Sequence, residues 1–329
     1  MSRVHASRVV VAGSFNVDHV WKCEALPAAG ATISGSYSSG PGGKGFNQAV
    51  AAARAGADTA FLCALGNDPG GVLARSLATA DSIDLRDLVS DQPTGTAGIY
   101  VDARGRNSIV IGAGANASLT PAFVGLQGDT IAAAGALLVQ LESPAESIAA
   151  ALELARGANV VTVLNPAPAN AATSIELLAL ADILTPNETE FSALVGRHIG
   201  EKIEADDVGI TDGASLHALC RELLAHGTVV VTMGSGGVFV SHAEEMWRGD
   251  AKSHYRVAAE PVEAIDTTGA GDAFNGALAA SVAGGAEAAF ADHVRFANRY
   301  AALSTERTGA ALAMPRLADV VARFGEGSA

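Results

Sequence analysis

Short β-branched runs recur along the chain at 9–12, 60–64, 136–140, 160–164, 182–185, 229–232 and 238–241, separated by longer alanine-rich stretches. These runs are apolar at nearly every position, not at alternate ones. That pattern predicts strands covered on both faces by helices, and hence a mostly parallel sheet. The stretches between them carry helix ends. Ser143-Pro144-Ala145-Glu146 reads as a serine cap, a proline at the first helical position and a glutamate closing a capping box, with the helix running to about Ala155 and stopping near Gly157. Helices are also expected over 48–55, over 187–195 as far as Gly196, over 214–225 before Gly227, and onward from 269–272, where Phe274, Leu278 and Val282 recur every four residues. The alternation predicts an α/β fold: a mostly parallel central sheet with helices on both faces.

Two segments break the rhythm. Residues 14–41 hold extended pieces around 17–21 and 31–37, and residues 94–114 pair 98–102 with 107–111 across the turn Ala103-Arg104-Gly105-Arg106. Antiparallel strands inserted into such a core read as a lid or a subunit contact. With no repeat, linker or second core in sight, residues 1–329 read as one domain with a small β-appendage.

Lys and Arg number 21 against 35 Asp and Glu, a net charge of −14 with no basic block, which argues against nucleic acid or an anionic membrane surface as partner. At 49% apolar and 17% charged residues the chain is too hydrophobic for disorder. Cys23, Cys63 and Cys220 are odd in number and form no C-x-x-C, so neither a disulfide framework nor a zinc site is expected and the compartment reads as reducing. The start of the chain carries Arg3 and Arg8, but its apolar run covers only 9–12, unlike a signal peptide, and the uncharged stretch 107–128 is broken by Pro121, unlike a membrane span. A cytoplasmic protein is the expectation.

Chemistry concentrates in a few strings. Asp266-Thr267-Thr268-Gly269-Ala270-Gly271-Asp272 places two glycines at a helix start, where unpaired N–H groups and the positive end of the helix dipole favour an anion. It is either an ordinary capped terminus or a phosphoryl-transfer site with Asp272 as proton acceptor. Gly40-Pro41-Gly42-Gly43-Lys44-Gly45-Phe46-Asn47-Gln48 is not a Walker A loop, because Gly45 follows the lysine, yet it lets a ligand approach backbone. Gly13-Ser14-Phe15-Asn16-Val17-Asp18 lacks the dinucleotide fingerprint; Asn16 and Asp18, two apart in an extended segment, share a face suited to sugar hydroxyls or are simply exposed polar residues. Gly112-Ala113-Gly114-Ala115-Asn116-Ala117 fits a loose G-x-G-x-x-A but follows a hairpin strand and is discounted. Glu188 and Glu190 at a helix start suit the dipole whatever their role, and the turn 232–237 reads equally as a hairpin. No H-E-x-x-H and no G-x-S-x-G occurs, which disfavours zinc and serine hydrolases.

Taken in order, these blocks, with Gln140-Leu141-Glu142-Ser143-Pro144, Asn165-Pro166-Ala167-Pro168-Ala169 and Thr185-Pro186-Asn187-Glu188-Thr189-Glu190, resemble the ribokinase family of PfkB-type sugar kinases over nearly the whole chain. The resemblance implies a ribokinase-like fold and ATP-dependent phosphorylation of D-ribose at its 5-hydroxyl, with another PfkB-type kinase acting on fructose, a deoxy-sugar or a nucleoside as the alternative. It implies Asp272 as base and the N–H groups around Gly269, Ala270 and Gly271 as anion hole. Asn16, Asp18, Gly43, Lys44, Asn47 and Glu142 would hold the sugar. Asn187 and Glu190 would organise Mg²⁺ and phosphate through water, and Thr232, Gly234, Ser235, Gly237, Gly271 and Asn298 would line the nucleotide site. Asp266, Thr268, Ser304, Arg307 and Gly309 match a K⁺ loop in which Ala313 replaces a serine, and the β-segments would form a lid that joins a homodimer. Ala31 stands where the family has Glu and Phe46 where it has a small residue beside the sugar loop, both of which bear on the choice of sugar.

Overall fold

The computed structural model describes residues 8–244, 246–285 and 288–325. The first seven residues, with the expectation about the chain's start, lie outside it. In chain order the strands are β1 (Arg8–Ala12), β2 (Asn16–Cys23), β3 (Gly35–Gly42), β4 (Asp58–Gly66), β5 (Asp84–Ser90), β6 (Gly95–Val101), β7 (Asn107–Gly112), β8 (Ala136–Val139), β9 (Val161–Leu164), β10 (Ile183–Leu184), β11 (Thr228–Thr232), β12 (Val238–Ser241) and β13 (His254–Val257). Nine of them form one sheet, ordered β13-β12-β11-β10-β9-β8-β1-β4-β5, and β3-β2-β6-β7 form a second. From β11 to β5 every neighbouring pair is parallel; β12 and β13 add antiparallel at one edge.

Side-chain alternation shows why the core strands are apolar throughout. Val9, Val11, Phe61 and Leu138 face one core cluster with the helices Lys44–Arg54, Ala270–Gly284 and Phe290–Ser304, whereas Val10, Ala12, Leu62 and Leu137 face the other with Ala145–Gly157, Glu188–His198 and Gly213–Leu223. Helices Lys44–Arg54 and Ala270–Gly284 touch backbone to backbone at Gly276, where a Cβ would lie 2.5 Å from the Ala51 methyl. This approach sets two functional helix starts side by side.

The expected hairpin is present. Strands β6 and β7 pair antiparallel from Thr96↔Gly112 to Val101↔Asn107, closed by the Asp102 N–H on the Arg106 carbonyl at 2.9 Å. Strand β2 pairs antiparallel with β3 and parallel with β6, so both irregular segments make one sheet. Residues 31–34 are not strand; β3 starts at Gly35, and Ala31 closes an exposed turn on the Ala28 carbonyl.

Several helix boundaries move. Pro144 is extended and serves as N-cap of Ala145–Gly157 without a side-chain cap, so Ser143 is not the cap; its shielded Oγ has no partner and Glu146 closes no capping box. Helix Glu188–His198 runs through Gly196 because the left-handed residue that ends it is Gly200, whose N–H returns to the Val195 carbonyl. Helix Gly213–Leu223 stops two residues early, since Leu224 is extended. The first helix spans Lys44–Arg54, not 48–55, and this register turns Phe46 into the core against Phe15 and Phe61. Phe46 therefore fills the core at about 1.5–3 kcal/mol of burial. Strands β5 and β13, unforeseen, are edges of the large sheet, where charged Asp84, Arg86, Asp87 and Arg256 hide the apolar signal.

Candidate active site

Lys44, Asn47 and Gln48 share one face of the first helical turns. Their helix starts at Gly43, whose φ of +87° and whose position 2.8 Å from the Asn16 nitrogen, measured from a would-be Cβ, exclude a side chain. Across from it begins helix Ala270–Gly284, with Gly269 left-handed as N-cap. Asp272 in its first turn is buried. Asn47 Nδ2 donates to its Oδ2 at 2.9 Å and Gln48 Nε2 to its Oδ1 at 2.9 Å.

Asn16 and Asp18 enter from β2, an inner strand of the small sheet that follows β1 of the large one. Glu142 follows β8, accepting from the Ser14 hydroxyl at 2.6 Å and from the Lys44 backbone N–H at 3.0 Å. Electrostatic coupling joins Asp18, Lys44, Glu142, Glu190 and Asp272. Burial pushes Asp18 up to about 6, with Glu142 and Asp272 adding like-charge repulsion. Asp272 is raised, with burial outweighing Lys44 and the two amide donors. Burial alone would lower Lys44, but Asp272, Glu142 and Glu190 outweigh it and keep it cationic. A raised carboxylate beside a secure cation suits a proton acceptor working near neutral pH. Among the described residues Asn47 Oδ1 is a buried acceptor without a partner, at a cost of about 1–3 kcal/mol that a bound hydroxyl would relieve.

On the far side of Asp272 lies a cavity of about 550 Å³ lined by Thr232, Gly234, Ser235, Gly237, Gly271 and Asn298, the residues expected there. The turn after β11 is both of its expected alternatives, an antiparallel hairpin into β12 and a wall of this cavity. Asn298 donates to the Ala258 carbonyl at 2.8 Å. Thr232 bridges to the start of helix Glu188–His198, where Asn187 and Glu190 form a reciprocal capping box with both bonds at 2.9 Å. Glu190 thus does cap its helix, and burial still raises its carboxyl.

The anion-hole expectation needs one correction. The Ala270 N–H donates to the Thr267 carbonyl at 3.1 Å, closing the turn, so the N–H groups left for an anion are those of Gly269 and the exposed Gly271. Around the cation loop, Asp266 accepts from the Thr268 N–H and the Gly309 N–H, each at 2.9 Å, which joins the two halves of the loop. Burial raises Asp266, but these bonds outweigh it and hold the carboxyl below its usual range. The Arg307 side chain turns outward to Asp319 at 3.1 Å, and the Ser304 hydroxyl is spent on the Ala301 carbonyl at 2.7 Å; only backbone of either residue faces the loop. Ala313 is buried.

Asn116 went unrecognised. It is buried, donates to Asn16 Oδ1 at 2.8 Å and to the Phe15 carbonyl at 3.0 Å, and accepts from the Phe15 N–H at 3.0 Å. The only signal was the discounted string around Gly114. No nearby pattern could place residue 116 beside residue 16.

A pH dependence follows from Asp18. Its ionised form accepts from hydroxyls; protonation removes that capacity. We expect kcat/KM for the sugar to fall as pH drops through about 6, while KM for the nucleotide stays level. The sign for stability is opposite: a carboxyl raised in the fold costs stability above about pH 6 and releases it as pH falls, so Asp18→Asn should raise Tm at pH 7–8, with the gain vanishing near pH 4. Thermal unfolding across this range checks it.

Among the described residues no helix is long and apolar enough to cross a membrane. The pattern of the pfkB family carbohydrate kinases matches residues 6–317. The chain is 38% identical over 311 residues to a ribokinase of Haemophilus influenzae, covering 93% of this chain and 95% of the relative, and 36% identical to the mouse ribokinase, covering 96% and 94%. The solved structure of Arabidopsis thaliana ribokinase complexed with ribose and ATP superposes with a TM-score of 0.81 at 30% identity, covering 96% of this chain and 98% of that one. With a family match over most of its length and these relatives, the chain belongs to the pfkB family of carbohydrate kinases, phosphotransferases that act on a sugar hydroxyl.

Proposed function

We propose that the protein transfers the γ-phosphoryl group of ATP to the 5-hydroxyl of D-ribose. One observation carries this: the Asp272 carboxylate sits in the Asn47–Gln48 cradle coupled to Asp18, Lys44 and Glu142, while the residue before it, Gly271, lines the glycine-walled cavity. A sugar on one side and a nucleotide on the other would meet at Asp272. The 5-hydroxyl proton passes to the carboxylate, the oxygen bonds to the γ-phosphorus, and the bond to the β-phosphate oxygen breaks to release ADP. Asn16, Asp18, Gly43, Lys44, Asn47 and Glu142 bind the sugar. The N–H groups of Gly269 and Gly271 face the developing charge. The ribokinase names of the relatives and the ribose and ATP in the Arabidopsis structure support this choice of substrates.

The residues present fit a divalent cation. Asp18, Glu142, Glu190 and Asp272 face a single lysine, a local excess of negative charge that an ATP tetra-anion would not enter alone. Asn187 and Glu190 would hold Mg²⁺ through water, and when bound it neutralises phosphate charge. The loop of Asp266, Thr268, Ser304, Arg307 and Gly309 fits K⁺ through its ionised carboxylate and backbone carbonyls, stiffening the turn that carries Gly269. With Ala313 in place of a hydroxyl, activation by K⁺ should be present but of weak affinity, and Ala313→Ser should lower its midpoint. KCl titration of phosphorylation at constant ionic strength checks this; full activity without K⁺, or an unmoved midpoint, would contradict it.

The small sheet acts as lid and dimer contact, supported by the exposed Ile109, Val110 and Ile111 of its edge strand β7. A cytoplasmic location accords with three free cysteines. The experiment is ADP release measured over pentoses, hexoses and nucleosides. D-ribose should give the highest kcat/KM; a hexose or nucleoside ahead of it would overturn the choice of sugar.

A further inference from the structure

Gln48 is buried, touches the carboxylate assigned as base, and has no role in the chemistry above. Its polarity is determined on every side. Nε2 donates to Asp272 Oδ1 at 2.9 Å and to Asn165 Oδ1 at 3.0 Å, which uses both amide hydrogens, while Oε1 accepts from Gln140 Nε2 at 2.5 Å. A carboxylate offers no hydrogen, so the amide cannot be turned over without setting oxygen against oxygen. From Asn165 the chain of bonds continues: Asn165 Nδ2 donates to the Thr185 carbonyl at 2.9 Å, the Thr185 hydroxyl to Asn275 Oδ1 at 2.5 Å, and Asn275 Nδ2 to the Gly271 carbonyl at 2.8 Å. Gly271 precedes Asp272. The bonds therefore close a ring that begins on the proton acceptor and ends on Gly271, the residue before it, whose own N–H faces the anion.

We propose that Gln48 is a positioning residue for phosphoryl transfer, holding the Asp272 carboxylate at a set angle to the Gly269–Gly271 turn through this buried amide ring. Gln140, Asn165, Thr185 and Asn275 are all buried, and they stand at or beyond the carboxyl ends of β8, β9 and β10 and on helix Ala270–Gly284. The ring thus references the base to the sheet and not to the mobile side of a ligand. In a low-dielectric interior a bonded amide chain resists rearrangement, and each bond to a carboxylate is stronger than a neutral one; among the described residues Gln140 Oε1 is the member of this network left without a partner. Asn47 also holds Asp272, but it has an unpartnered oxygen and belongs to the sugar side; Gln48 has no atom to spare for a ligand. Loss of Gln48 should therefore touch turnover far more than sugar binding.

The inference rests on Asp272 as base, and the test separates the two. Gln48→Met keeps the volume and removes both donors. In the purified protein, with D-ribose and MgATP, kcat should fall about tenfold or more while KM for ribose stays within about threefold. In the Asp272→Asn background, followed over long single turnovers, the same substitution should cost less than about twofold, because the side chain Gln48 orients no longer accepts the proton. A packing role would instead lower both proteins equally. A folded Gln48→Met with wild-type kcat, or a loss of the same size in both backgrounds, overturns the proposal even where Asp272→Asn is inactive. An Asp272→Asn variant that keeps more than about a tenth of wild-type kcat overturns the base assignment itself. Should Gln48→Met fail to fold, Asn165→Ala, which touches neither sugar nor carboxylate, should show the same split between kcat and KM, and wild-type kcat there would overturn the proposal.

Discussion

Asp272→Asn should keep the fold and most of the sugar affinity while lowering kcat by about 10²–10⁴-fold, the usual contribution of a positioned general base. Asparagine matches the shape of aspartate and can keep one amide bond of the cradle by turning its oxygen toward Gln48 or Asn47. It cannot take a proton from a hydroxyl. Burial and the raised carboxyl also mean that the substitution removes a charge the fold holds at a cost, so Tm should not fall. Steady-state kinetics with calorimetry of ribose binding checks this, and a folded variant above about a tenth of wild-type kcat would remove Asp272 from its role.

Asp18→Ala should act on the other parameter. Removing a carboxylate that accepts from sugar hydroxyls leaves them unpaired in a shielded site, about 1–3 kcal/mol or roughly five- to 150-fold in KM for ribose, with KM for ATP changed less than about twofold. Asp18 stands on β2 of the small sheet and lines no part of the cavity beyond Gly271. Equal effects on the two substrates would move the sugar elsewhere.

What could be seen in the sequence was whatever depends on near neighbours. Core strands such as β1 and β11 announce themselves because both faces are buried and their central residues, Val9–Val11 and Val229–Val231, are all apolar. Edge strands β5 and β13 do not, because charge on their open sides masks the period. Gly269 to Asp272 was visible as a helix start with an acidic first turn, although only coordinates show that Ala270 spends its N–H on Thr267. The burial of Phe46 depended on one detail of register: starting the helix at Lys44 puts 44, 47 and 48 on the site and 46 in the core. Asn116, Gln140 and Asn165 were beyond reach, since their partners lie 100, 92 and 117 residues away and their meaning exists only once strands from distant parts of the chain are paired.

The most direct measurement is the position of the transferred phosphate. Phosphorus–proton correlation by NMR on the product of ribose and MgATP should place phosphate on carbon 5, in amounts equal to the ADP formed, and Asp272→Asn should form that product about 10²–10⁴-fold more slowly. Phosphate on any other carbon, or ADP formed at the same rate without ribose, would contradict a 5-hydroxyl kinase centred on Asp272.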